Sequence, residues 1–283
     1  LAEFEDVLRR LQVPMFTVLY ADQDGHILSL FNGQVPVRPD VEADWGGIVP
    51  GDTAATLWTE IHPYEDLPRV VDPPGGWVQN SNSAPWSTTY PRQLDPADFP
   101  PYLSTNYLWW RERGAIRMLE ENQDLSLDDL IALKYSTRFE LADRILDDLI
   151  AAARASGDPA AEQAAEVLAS WDRQAEPDST GVVLFFFWVA AMPSSDPAAL
   201  SDIFAIPADP EQPLTTPAGL RDPEAAAQAL SQAAQQVEAL FGRLDVPWGE
   251  VGRLRWADVD LPANGFLGDP FGVFRVLFFD PSS

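Results

Sequence analysis

Few residues in this chain have the type and spacing to do bond-breaking chemistry. There is no cysteine and there are two histidines, His26 and His62. That excludes a thiol nucleophile and a cysteine-built zinc site, and leaves a histidine triad with few possible parts. The chain contains no phosphate-cradling Gly-Lys-Ser loop, no Gly-x-Ser-x-Gly elbow and no His-Glu-x-x-His helix. Each histidine reads as a surface or turn residue. Asp22-x-Asp24-Gly25 has the opening of a calcium loop, but the later ligand positions and the closing glutamate are missing, so a hairpin turn is the expectation. Arg111-Glu112-Arg113 opens a helical pattern, where ordinary surface ion pairing is the default for such charges. Asn82, in Gln79-Asn80-Ser81-Asn82, reads by itself as a turn residue. The Trp-rich loops could line an apolar pocket or belong to a core.

Composition narrows the setting. With 46% apolar and 11% aromatic residues in 283, the chain can bury one substantial core or two smaller ones. Forty-four acidic against 18 basic side chains give a formal charge of −26, which repels nucleic-acid phosphates and anionic membranes. The longest apolar run, residues 182–192, is about half of the ~20 residues that a membrane span needs, so it belongs in a core.

The elements that must hold these residues follow from periodicity. Phe4, Val7, Leu8 and Leu11 recur at helical spacing, and residues 16–20 then read as a buried strand. The turn at 22–25 and the apolar pattern at 26–31 predict a hairpin. Residues 33–106 are loop-rich, with 76–80 as a possible strand. Residues 110–172 are mainly helical, with Ser126 and Asp129 placed as a capping box. Pro223 after Asp222 and Gly242 bracket a further helix. Residues 193–221 read as a surface excursion, and 246–279, including 272–279, as returning strands.

One ordered series changes the weight of these signals. It runs Tyr20-Ala21-Asp22-x-Asp24-Gly25-His26-Ile27, Val49-Pro50-Gly51-Asp52, Trp58, Pro63-Tyr64-Glu65-Asp66-Leu67-Pro68, Asp72-Pro73 and Gly76-Trp77-Val78-Gln79-Asn80-Ser81-Asn82-Ser83-Ala84-Pro85-Trp86. Downstream come Arg111-x-Arg113, Trp171-Asp172, Trp248-Gly249-Glu250-Val251 and Asp258-Val259-Asp260-Leu261-Pro262. In this order the words resemble the penicillin acylase family, within it the acyl-homoserine-lactone and lipopeptide acylase branch. The resemblance covers nearly all of residues 1–283, which then form a portion of a penicillin-acylase-like catalytic domain, internal to the large subunit.

The resemblance implies an α+β fold, part of the αββα sandwich of N-terminal-nucleophile hydrolases with a helical excursion. The implied reaction is hydrolysis of the amide between an acyl chain and a small polar amine such as homoserine lactone or a β-lactam nucleus. In that family a serine exposed by self-cleavage attacks, its own α-amino group serving as base, so no histidine is needed. Asn82 matches the family's oxyanion-holding asparagine and Arg111 the arginine that orients the catalytic asparagine and nucleophile region, with Arg113 two residues away. The nucleophile, the small subunit and the first part of the large subunit are expected before Leu1, so these residues alone are expected to lack amidase activity. No cofactor is implied for catalysis. A structural calcium belongs to some relatives, without ligands that can be assigned here. A periplasmic or secreted setting is implied. The competing class is a non-catalytic binding or scaffold relative that has lost the nucleophile.

Overall fold

The computed structural model describes residues 1–193 and 200–277, which divide into two compact units, Leu1–Leu108 and Trp109–Ser283. In the first unit helix α1 (Ala2–Leu8) leads into a three-stranded antiparallel sheet of β1 (Met15–Ala21), β2 (Ile27–Gly33) and β3 (Arg69–Val71), in the order β1-β2-β3. The register Ala21↔Ile27 through Met15↔Gly33 is that of a hairpin closed at 22–25. Asp22 closes it, its Oδ1 accepting the backbone N–H groups of Asp24 and His26, both at 3.0 Å, in an Asx turn. Residues 16–20 are a strand, but not a buried one. β1 is a sheet edge, and Phe16 is 63% exposed with Met15 and Leu19 also open to solvent. An apolar run signals a strand and not how many neighbours it has.

Buried Leu28 and Leu30 of β2 pack with Leu11, Tyr64, Leu67, Trp86 and Leu103 to make the first core. Phe4 of α1 stacks on Tyr20 with ring centroids 4.6 Å apart. A polar joint completes the docking of α1: Glu5 accepts from the Tyr64 hydroxyl at 2.8 Å and pairs with Arg69. Burial opposes the charge on Glu5, but the hydrogen bonds from Tyr64 and Arg69 outweigh it and hold the carboxyl below its ordinary 4.5. Burial, and then the same carboxylate, push the Tyr64 phenol up to about 12.

The second unit is mostly helical: α2 (Trp110–Glu121), α3 (Leu127–Lys134), α4 (Glu140–Ala155), α5 (Pro159–Ser170), α6 (Val182–Ala191), α7 (Pro223–Phe241) and α8 (Trp248–Val251). Two short hairpins accompany them, β4 (Phe204–Ile206) with β5 (Ala218–Leu220), and β6 (Arg253–Trp256) with β7 (Val259–Pro262). The capping chemistry is local. Ser126 and Asp129 exchange hydrogen bonds at the start of α3, Asp222 accepts from Ala225 N–H at 2.9 Å to open α7, and Gly242 ends it at φ +73°.

Alanines at 161, 164, 165, 226, 229, 233 and 234, all buried, let α5 and α7 lie close to their neighbours. At the centre of the core the Phe139 ring meets Trp171 and Phe266, each at 5.1 Å, and Phe271 at 5.8 Å. Glu140, next in sequence, is 0% exposed and accepts from Arg117 at 2.8 Å and Arg144 at 3.0 Å, tying α2 to α4.

Four further expectations are corrected. Residues 200–220 are no surface excursion: Leu200, Ile203, Phe204 and Leu220 are buried, and Phe204 packs on Trp110 at 5.5 Å. Residues 205–208 and 210–212 are exposed, and their Pro and polar residues obscure the buried apolar ones in the pattern. Residues 76–80 form a loop, and Trp248–Val251 is a short helix where a strand was expected. Within 272–279 the residues to 277 form only a bridge, Phe266↔Val276, and Phe278 and Phe279 lie outside the described residues.

Gly181 precedes α6 where any Cβ would stand 2.3 Å from Trp171 Cγ, so Gly181→Ala is expected to destabilise by about 1–3 kcal/mol through overpacking, read as a lowered melting temperature. Because the folded pKa of Glu5 lies below the unfolded one, its contribution is complete above about pH 4.5 and is lost as pH falls through the folded value. Acid titration of wild type and Glu5→Gln should therefore show a stability gap at neutral pH that narrows below about pH 4.5; a gap constant from neutral pH to pH 2 would contradict this.

Candidate functional site

In the first unit, residues 79–88 form a loop in which Gln79, Ser81, Ser83, Ser87 and Thr88 are buried while Asn80 and Asn82 are exposed. Gln79 is its clamp. Its backbone N–H donates to Thr88 O at 2.8 Å and its Nε2 donates to Ser87 O at 2.8 Å. Its Oε1 accepts from the Ser81 hydroxyl at 2.9 Å, and the Thr88 hydroxyl donates back to Gln79 O at 3.0 Å. A loop with this many internal partners has little freedom to rearrange.

At the tip of the loop stands Asn82. It is exposed, between buried Ser81 and Ser83, and its φ is +64°. Its backbone N–H donates to Asn80 Oδ1 at 3.1 Å. The left-handed region is costly for most side chains and tolerated by asparagine, so the turn reading of Asn82 holds. The clamped loop carries the exposed carboxamide of Asn82, a group with two N–H donors and no charge.

Arg111 belongs to the second unit, in the first turn of α2. Its Nε donates to Asp269 Oδ2 at 2.9 Å, and its backbone N–H donates to Asp269 Oδ1 at 3.1 Å. Gly268 makes room for this, since a Cβ there would stand 2.9 Å from Arg111 Cδ. The expectation of a surface charge cluster at 111–113 is corrected: Glu112 is 0% and Arg113 2% exposed, while Arg111 is half-buried. Glu112 caps α2 by accepting from Trp109 N–H at 2.9 Å, and Arg113 donates to Thr216 O at 2.7 Å. Asp269 and Thr216 were not singled out in the sequence, and no local signal marks residues 158 and 103 positions away as partners.

His62 is buried, contrary to a surface reading, and shares a 2.8 Å hydrogen bond with the Tyr102 hydroxyl. His26 is exposed at the hairpin, where a hydrogen bond to Asp72 at 2.8 Å raises its pKa above the ordinary 6.5. The other ring nitrogen of His62, Nδ1, lies 3.8 Å from Asp66 Oδ2. Among the described residues no group of three or more His, Asp or Glu is arranged to hold a metal. A cleft of about 430 Å³ between α4 and α7 is lined by Asp158 and Glu224, but Asp158 is occupied in capping Ala160 N–H and in bonding Ser231.

A family model described as penicillin amidase matches residues 1–275. The chain belongs to the penicillin amidase family. Among curated relatives, the penicillin acylase 2 proenzyme of Pseudomonas sp. (strain SE83) is 28% identical over 171 residues, 60% of this chain and 21% of that protein. Among solved structures, a thermostable penicillin G acylase from Alcaligenes faecalis aligns with a TM-score of 0.59 at 20% identity, over 86% of this chain and 50% of that one. The α+β fold is thus that of the penicillin G acylase, and this penicillin amidase chain spans about half of that structure's length. No helix among the described residues is long and apolar enough to cross a membrane.

If the clamp holds Asn82 in the left-handed region, Asn82→Ala should cost about 1–2 kcal/mol of unfolding free energy from backbone conformation, and Asn82→Gly much less. Paired chemical denaturations measure both; equal losses would mean that the side chain and not the backbone carries the effect.

Proposed function

We propose that the protein containing these 283 residues is an amidohydrolase of the penicillin acylase type, and that Asn82 donates a hydrogen bond to the oxyanion of its reaction. The observation that carries this is the clamped, exposed carboxamide of Asn82 within a chain of the penicillin amidase family. The substrate is an amide joining an acyl chain to a small polar amine, with homoserine lactone and a β-lactam nucleus as the two candidate amines. Support for the amine comes from the sequence series that resembles the acyl-homoserine-lactone branch, and from relatives named as penicillin acylases.

The nucleophile is a serine supplied by a part of the protein outside these residues, activated by its own α-amino group. Its oxygen attacks the amide carbonyl, and the C=O electron pair moves onto oxygen as the tetrahedral intermediate forms. An Asn82 Nδ2–H held in place before the reaction stabilises that charge without the cost of reorienting solvent. The intermediate collapses with departure of the protonated amine, and water then releases the acyl group. Arg111 acts as a positioning residue, itself held by Asp269. No metal or organic cofactor has a step in this scheme. A small subunit and the N-terminal part of the large subunit are the partners in this reading, and export to the periplasm or beyond follows the same family resemblance.

Asn82→Gly in the complete protein separates catalysis from folding, because glycine keeps the backbone conformation and removes only the carboxamide. Single-turnover acylation by long-chain acyl-homoserine lactones and chromogenic phenylacetyl amides is expected to slow by about 10²-fold to 10³-fold, roughly 3 kcal/mol, with an unchanged melt. A near-normal acylation rate would remove Asn82 from the reaction. No turnover of either substrate by the complete wild-type protein would instead favour the non-catalytic relative.

A further inference from the structure

In the first unit, three aromatic rings frame one arginine. Arg38 Cζ lies 5.1 Å from the ring centroid of Tyr102, 5.6 Å from that of Trp45 and 6.0 Å from that of Trp58. The two indoles are tilted against each other at 6.4 Å. The frame is anchored from below. Pro36 bridges Ile61, Val37 N–H donates to Glu60 O at 2.9 Å, His62 N–H donates to Val35 O at 2.8 Å, and the Tyr102 hydroxyl is tied to His62 Nε2.

What separates Arg38 from a structural staple is its unused donors. A guanidinium has five N–H groups, and here Nη1 donates to Trp45 O at 3.2 Å. Ring faces attract the cation but do not replace the paired, in-plane acceptors that a carboxylate offers. The other framed arginines of this unit have such acceptors: Arg9 pairs with Asp6 and Glu65, and Arg69 with Glu5. Arg38 pairs with no carboxylate among the described residues, in a chain of 44 acids. Trp58 is 51% exposed, so the frame opens to solvent on an apolar wall.

We infer that Arg38, Trp45, Trp58 and Tyr102 form a binding site for an organic monocarboxylate with a flat or hydrocarbon body, its carboxylate on the Arg38 N–H edge and its body on Trp58. Charge sets the limit of one carboxylate. Arg38 is the one Lys or Arg between residues 11 and 68, and Asp40, Glu42, Asp44, Asp52 and Glu60 of the same stretch are all exposed, so one cation answers one carboxylate and none remains for a second. The inference does not depend on the amidohydrolase reading or on Asn82, because it is argued from groups that the reaction does not use.

The test uses the 283-residue chain and calorimetric titration with 3-phenylpropionate. Its neutral amide, propionate and phenylsuccinate serve as probes of charge, ring and second carboxylate. Saturable binding of 3-phenylpropionate is expected, about tenfold or more weaker for each of the three probes. Arg38→Gln is expected to abolish the difference between acid and amide, and Trp58→Ala to weaken the acid while leaving the melt unchanged, since Trp58 is on the surface. Absence of saturable binding by the wild-type chain, equal affinity for acid and amide, or undiminished binding by folded Arg38→Gln would each overturn the site.

Discussion

A polar group removed from water must find a partner or cost a few kcal/mol, and in this chain that constraint decides which segments meet. Glu140 is out of contact with solvent on α4, and Arg117 of α2 and Arg144 of its own helix supply its partners. Glu5 does the same for α1 with Tyr64 and Arg69. Gln79 does it without charge, satisfying both ends of its side-chain amide inside the 79–88 loop. Apolar packing supplies the bulk of the stability in both cores, but it is non-directional, and these polar joints give the elements their register.

The candidate site inherits its rigidity from one of those joints. A loop rich in Ser and Asn has no intrinsic reason to hold a single conformation. Once Gln79 is bonded to Ser81, Ser87 and Thr88, Asn82 has few ways to sit, and it takes the left-handed conformation that asparagine tolerates. In the role proposed for Asn82, a donor fixed before the negative charge appears stabilises it without reorganisation. The same logic holds Arg111, where Asp269 takes both the side chain and the backbone N–H, and Gly268 leaves the space for it.

Much of the local structure was legible in the residues. The α7 boundaries follow from Asp222, Pro223 and Gly242, the α3 start from Ser126 and Asp129, and the β1–β2 turn from Asp22 and Gly25, because caps and turns are settled by neighbours within four positions. The ordered motif series made the family readable, and the family match over residues 1–275 agrees with it. The edge position of β1, the burial of Phe204 and the interior setting of Glu112 and Arg113 were not readable, since each depends on segments far away in sequence.

The sequence by itself therefore determined helices, turns, caps and the family, all written in short-range patterns or in the order of words along the chain. Only the tertiary structure decided that Gln79 locks the Asn82 loop, that Arg111 answers to Asp269 across 158 positions, and that Arg38 stands among three rings with donors to spare. Residue types state what a side chain can bond to. Which partner it receives is set by chain closure over long separations, and a one-dimensional pattern does not carry that information.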